Sequence, residues 1–112
     1  MINSHVYLKD ILDNIERVDR FMGTMSCSEF THDEKTYFAV VRCFEIMGEA
    51  VKHVPQSIQE QYADVPWRMI SDTRNVFVHA YASVNAYKVW QTAIEDLPPL
   101  KSQILKILAD LK

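Results

Sequence analysis

Two glycines and four prolines are all that interrupt 112 residues, so few turns and strand boundaries are marked. Nor is there any uninterrupted apolar run of about 18 residues, the length a membrane-spanning helix needs. Cys27 and Cys43 are the only cysteines and form no CxxC pair; two thiols so far apart in a helical chain suit a reducing compartment, expected to be the cytoplasm. The amino terminus, MINSHVYLKDIL, breaks its apolar pattern with His5, Lys9 and Asp10, which no signal-peptide core tolerates. Glycine-rich phosphate loops and nucleophile elbows are absent, excluding the kinase, nucleotide-hydrolase and serine-hydrolase readings. His5, His32 and His53 lack HxxxH spacing, so no metal site is expected. With a net charge of −3, the chain has no broad basic field, and any nucleic-acid contact must use a local patch.

What remains is rich in helix formers, and 48% of the residues are hydrophobic. Such a chain builds one core, so a single domain over residues 1–112 is expected. Its class is all-α. From Asn3 or Ser4 as N-cap, Ile11, Ile15, Val18, Met22 and Met25 recur at helical spacing, with Leu8 and Leu12 beside them and Gly23 weakening the end. Thr31 followed by Glu34 reads as a capping box opening a second helix that runs to about Val54. Tyr37, Val41, Phe44, Met47, Val51 and Val54 form one apolar row, and Ala39, Cys43, Ile46 and Ala50 form another. A helix apolar over so wide an arc is central. Its remaining face carries a line of charge: Arg42, Glu45, Glu49 and Lys52.

A short amphipathic piece, Gln56 to Tyr62, leads to Pro66, well placed for the first turn of a third helix with Trp67, Ile70, Phe77 and Val78 inward. Ser83 or Asn85 is the expected cap of a fourth, whose Tyr87, Trp90, Ile94 and Leu97 share a face. Pro98 and Pro99 then break the chain before a last helix of Leu100, Ile104, Ile107 and Leu111. The sum is an antiparallel up-and-down bundle of four to five helices. Trp67, Trp90, Tyr37 and Phe44 fall on apolar stripes and are expected to be structural.

One segment stands apart. RNVFVHAY, Arg74 to Tyr81, sets four hydrogen-bonding side chains at the end of an apolar helix. His79 suits general acid–base work on a 2′-hydroxyl, because an unperturbed imidazole changes charge near neutral pH. Arg74 suits a phosphate, because its planar fork holds two oxygens while staying charged, and Asn75 suits orientation of His79 or of a phosphate oxygen. Asn75 and His79 stack at four-residue spacing, but Arg74 lies about 140° round the helix from His79. Three arrangements answer this: the arginine arm swings round, the helix loosens near His79, or the partner residue comes from a second subunit. Tyr81 joins His79 on one side only if the backbone there is extended. The bland reading has Arg74 paired with a carboxylate, Asn75 closing a turn and His79 at a helix end. Against it stands the order, which average composition produces by chance in on the order of one in several thousand such chains. Glu45 and Glu49 repel each other unless a cation lies near them; Arg42 is one such cation and Arg74 a second, with a solvated face as the alternative.

The ordered set resembles the HEPN signature, an arginine followed four to six residues later by histidine, and more narrowly the RNxxxHxY form of HepT-like proteins. RCFEIMGEAVK (Arg42 to Lys52), PWRMISDTRN (Pro66 to Asn75), and Val89-Trp90 with the following LPPL resemble that family's blocks in the same order. Asp72-Thr73 and Val84-Asn85 depart from its usual residues without removing a proposed catalytic group. The resemblance implies a HEPN-like bundle forming a homodimer around a shared cleft. It also implies metal-independent endoribonuclease activity on RNA, tRNA included, as the toxin of a type VII-like toxin–antitoxin pair, with no cofactor. The implied antitoxin is an MntA-type minimal nucleotidyltransferase that places AMP on Tyr81, where added charge and bulk would block an RNA phosphate. Arg74, Asn75 and His79 are then the catalytic set, with Arg42, Glu45 and Glu49 in support. The rival expectation is a catalytically silent HEPN dimer that binds a nucleotidyltransferase or a nucleotide.

Overall fold

The computed structural model describes residues 4–73 and 86–111 in full and the backbone of 74–79. Among these residues every element is a helix: α1 Ser4–Met22, α2 Cys27–Thr31, α3 Glu34–Val51, α4 Gln56–Gln61, α5 Trp67–His79, α6 Ala86–Glu95 and α7 Leu97–Asp110. The five long helices of the expected bundle are present, and two short ones, α2 and α4, join them.

In α1, Leu8, Ile11, Ile15, Val18 and Met22 are buried at three- and four-residue steps. The helix stops at Met22 because Gly23 takes a φ of 53°, a left-handed conformation that glycine adopts without a Cβ clash. Met25 therefore lies beyond the helix, packed against the core from the loop.

The N-caps fall elsewhere than the Thr31–Glu34 reading expects. Ser26 and Glu29 form the capping box, with Ser26 N–H donating to Glu29 Oε1 at 2.8 Å and Glu29 N–H to Ser26 Oγ at 3.1 Å. Thr31 ends α2, its hydroxyl donating back to the Ser28 carbonyl at 3.1 Å, and α3 is capped by Asp33, which accepts the Thr36 N–H at 3.0 Å. Asp33 is the stronger acceptor and sits two positions nearer the first turn than Thr31.

Central α3 buries Val40, Val41, Cys43, Phe44, Met47, Gly48, Ala50 and Val51, packing against α1 and α5. Just past its end, Gln59 of α4 donates to the carbonyl of Val51 (3.2 Å), which also accepts the Val54 N–H (3.1 Å), and to that of Val54 (3.1 Å). Trp67 is buried and donates its Nε1 to Tyr62 O at 3.0 Å, which fixes the start of α5. Pro98 and Pro99 lie inside the first turn of α7 and do not form a break before it; only Asp96 separates α6 from α7. A missing N–H is no loss in a first turn. Leu100, Ile104 and Ile107 of α7 and Val89 of α6 complete the core with α1 and α3. The expected caps Ser83 and Asn85 lie outside the described residues, as does Asn3.

Candidate functional site

The direction of α5 follows from its neighbours. Val51 and Lys52, at the end of α3, share a groove with Pro66, Trp67 and Ser71, whereas Phe44 and Met47 enclose a small cavity with Ile70 and Thr73. The two helices are therefore antiparallel, and the last turn of α5 runs beside the first half of α3. α1 is also antiparallel to α3, since Tyr7 near its start stacks on His53, just past the end of α3, at 4.8 Å. The end of α1, the start of α3 and the end of α5 thus meet at one end of the bundle.

Buried Trp67, Ile70 and Thr73 anchor α5, the Thr73 hydroxyl donating to Ile70 O at 2.6 Å. Helical spacing then sorts the motif. Arg74 continues the row of Trp67 and Ser71, the flank toward α3. Asn75 and His79 continue the row of Arg68 and Asp72, which are exposed and 3.9 Å apart. The helix is regular through His79, so it does not loosen before that residue. In one chain, the backbone positions of Arg74 and His79 stay on different sides of α5. The side chains of Arg74, Asn75 and His79, and the whole of Tyr81, lie outside the described residues.

The supporting charges sit on the outward face of α3. Arg42 Nη1 lies 3.4 Å from Glu45 Oε1, and Glu49 lies 3.7 Å from His53 Nε2. Together with Tyr7, Asp10, Ile46 and Ala50, these residues line a groove of about 530 Å³ between α1 and α3. The arginine side chain is 70% exposed, so the pair holds Glu45 in place and adds little stability. His53, which spacing gave no role, completes this groove; its i,i+4 relation to Glu49 was the available signal.

Burial fits the structural reading of Phe44 and Trp67, and Tyr37 packs against the core with its hydroxyl pKa pushed up by desolvation. Trp90 also packs there, although its buried Nε1 has no acceptor among the described residues. No group of three or more His, Cys, Asp or Glu side chains able to hold a metal occurs among the described residues, and no helix there is long and apolar enough to cross a membrane.

The family described as Ribonuclease HepT-like matches the chain over residues 11–107, a span that contains α3, α5 and the whole motif. A protein of Thermococcus cleftensis named "Probable ribonuclease HepT" is 38% identical over 101 residues, covering 90% of this chain and 92% of the relative. "Putative RNase MJ1216" of Methanocaldococcus jannaschii is 35% identical over 106 residues, covering 95% of this chain and 88% of its own. "Putative RNase TTE0752" of Caldanaerobacter subterraneus is 35% identical over 102 residues, covering 91% of each. No solved structure matches the chain.

Proposed function

Because the chain belongs to the HepT-like ribonuclease family, we propose that it is a metal-independent endoribonuclease, the toxin of a type VII-like toxin–antitoxin pair acting on RNA such as tRNA. The observation that carries this reading is the coincidence of two things: ribonuclease-named relatives aligned over nine-tenths of the chain, and an intact Arg-Asn-x3-His on a helix anchored against α3.

In the proposed reaction His79 takes the proton of a ribose 2′-hydroxyl. The 2′-oxygen attacks the neighbouring phosphorus, the bond to the 5′-oxygen breaks, and that oxygen leaves with a proton, giving a 2′,3′-cyclic phosphate. Arg74 holds the phosphate oxygens as their charge grows, and Asn75 orients His79. Glu45, steadied by Arg42, and Glu49 position the arginine. The protein acts as a homodimer whose two motifs line a shared cleft. An MntA-type nucleotidyltransferase silences it by placing AMP on Tyr81, setting phosphate charge beside Arg74.

The test is incubation of the unmodified protein with total tRNA in excess EDTA, beside His79→Ala and Arg74→Ala variants whose helicity matches wild type. Intact mass establishes beforehand that Tyr81 carries no adduct. Cleavage that falls by about 10²–10⁴-fold in His79→Ala supports the reading. The second reading, a silent binding module, is favoured by the net charge of −3. It takes the lead if the unmodified wild type leaves RNA intact.

A further inference from the structure

Three arginines lie on the halves of α1 and α3 nearer the motif, on helices that also carry Asp13 and Asp19 between and beside them. Arg17 and Arg20 lie one turn apart on α1, and Arg42 lies on α3; all three are exposed. They come close enough to the buried Cys43 for their charges to oppose the effect of burial on its thiol. Neither Arg17 nor Arg20 has a carboxylate within 4.0 Å among the described residues. Glu16, one turn before Arg20, is drawn instead toward Lys101 of α7 at 3.8 Å. Only Arg42 is paired, with Glu45 at 3.4 Å, and that contact leaves its side chain 70% exposed.

Two aromatic rings flank the cluster. Phe21 follows Arg17 by one turn on α1, and Phe38 precedes Arg42 by one turn on α3, so the antiparallel pair sets both rings at the same end. Phe21 is 41% exposed and Phe38 54%, unusual for rings in a core-forming pair of helices. Unpaired guanidinium groups next to exposed rings have the chemistry of single-stranded nucleic acid: phosphates for the cations and base faces for the rings. An acidic protein surface would match the arginines but gives the two rings no particular partner.

We propose that Arg17, Arg20 and Arg42, with Phe21 and Phe38, form a landing track that holds single-stranded RNA beside the motif end of α5. The assignment rests on the ribonuclease reading for its substrate class and adds how that substrate is held.

A labelled 2′-O-methyl RNA of roughly 20 nucleotides, longer than the ~4–16 nucleotides that single-strand sites typically span, tests the track by fluorescence anisotropy. It lacks the 2′-hydroxyl nucleophile, so it reports binding apart from cleavage. Arg17→Gln with Arg20→Gln is expected to weaken binding by about tenfold at low salt and to reduce the slope of log affinity against log salt by about 1.4, two lost phosphate contacts at ~0.7 each. Arg17→Lys with Arg20→Lys keeps the slope, and Lys106→Gln, a cation already paired with Asp110 at 3.9 Å, changes neither quantity. Phe38→Ala lowers affinity by about fivefold or more without moving the slope, because stacking releases no counterions. Circular dichroism of each variant separates these effects from misfolding. Wild-type affinity and slope in the folded double glutamine variant, or no binding by the wild type, overturns the track. A wild type that binds with these losses yet never cuts ordinary RNA removes the ribonuclease reading and leaves the track standing.

Discussion

At Asp33 a single carboxylate starts the central helix. It accepts the Thr36 N–H, and this bond holds its pKa below the ordinary value, with nearby Lys35 contributing. A depressed folded-state pKa means stability that is fully present above the unfolded value of about 3.9 and lost as pH falls through the lower folded one. Asp33→Asn keeps a capping oxygen but cannot titrate. Wild type is therefore expected to melt above the variant at neutral pH, and the gap to close as pH drops below about 4, as thermal melts across that range will check. A gap that widens in acid refutes the assignment. The same stretch shows where residue-level reading fails. Ser26-Cys-Ser-Glu29 and Thr31-His-Asp-Glu34 both satisfy the capping-box pattern, and only the first forms one. Asp33 lies inside the second pattern and takes its place, a competition between neighbours that a spacing rule does not weigh.

Elements that bury a broad stripe were legible; of the short ones, the amphipathic piece from Gln56 was, as α4, and α2 was not. The apolar rows of α1, α3 and α7 repeat over several turns, so their buried residues follow from periodicity. α2 and α4 span 5 and 6 residues, too little for a period, and owe their form to the Ser26 box and to Gln59 bonding the end of α3. The prolines after α6 mark a helix start that reads equally well as a break, because proline satisfies both. The consequence for stability is concentrated in α3. Met47 is 0% exposed, so Met47→Ala should cost about 2–5 kcal/mol in urea unfolding. Leu105 of α7 belongs to an equally apolar stretch of sequence but is 46% exposed, and Leu105→Ala should stay within about 0.5 kcal/mol. Equal losses would mean that Leu105 is covered in solution, as a subunit contact would make it.

For the whole molecule, the motif was legible as a set of residues, while its assembly is a property no linear spacing carries. A regular α5 keeps Arg74 and His79 about 140° apart, so a long arginine arm reaches round the helix or the two groups come from different chains. The proposed homodimer makes these alternatives separable by mixing. Arg74→Ala chains and His79→Ala chains, each inactive alone, are unfolded together and refolded at equal concentration, so that half the dimers are mixed. If each site takes its arginine from one chain and its histidine from the other, every mixed dimer holds one intact site and one lacking both groups. Cleavage then returns to about a quarter of the wild-type rate, half of the dimers each with half of their sites. If both groups act within one chain, each site in a mixed dimer still lacks one of them and cleavage does not return. Sedimentation of the mixture at the mass of two chains is the accompanying requirement, because recovery by a monomer would have no explanation in shared sites.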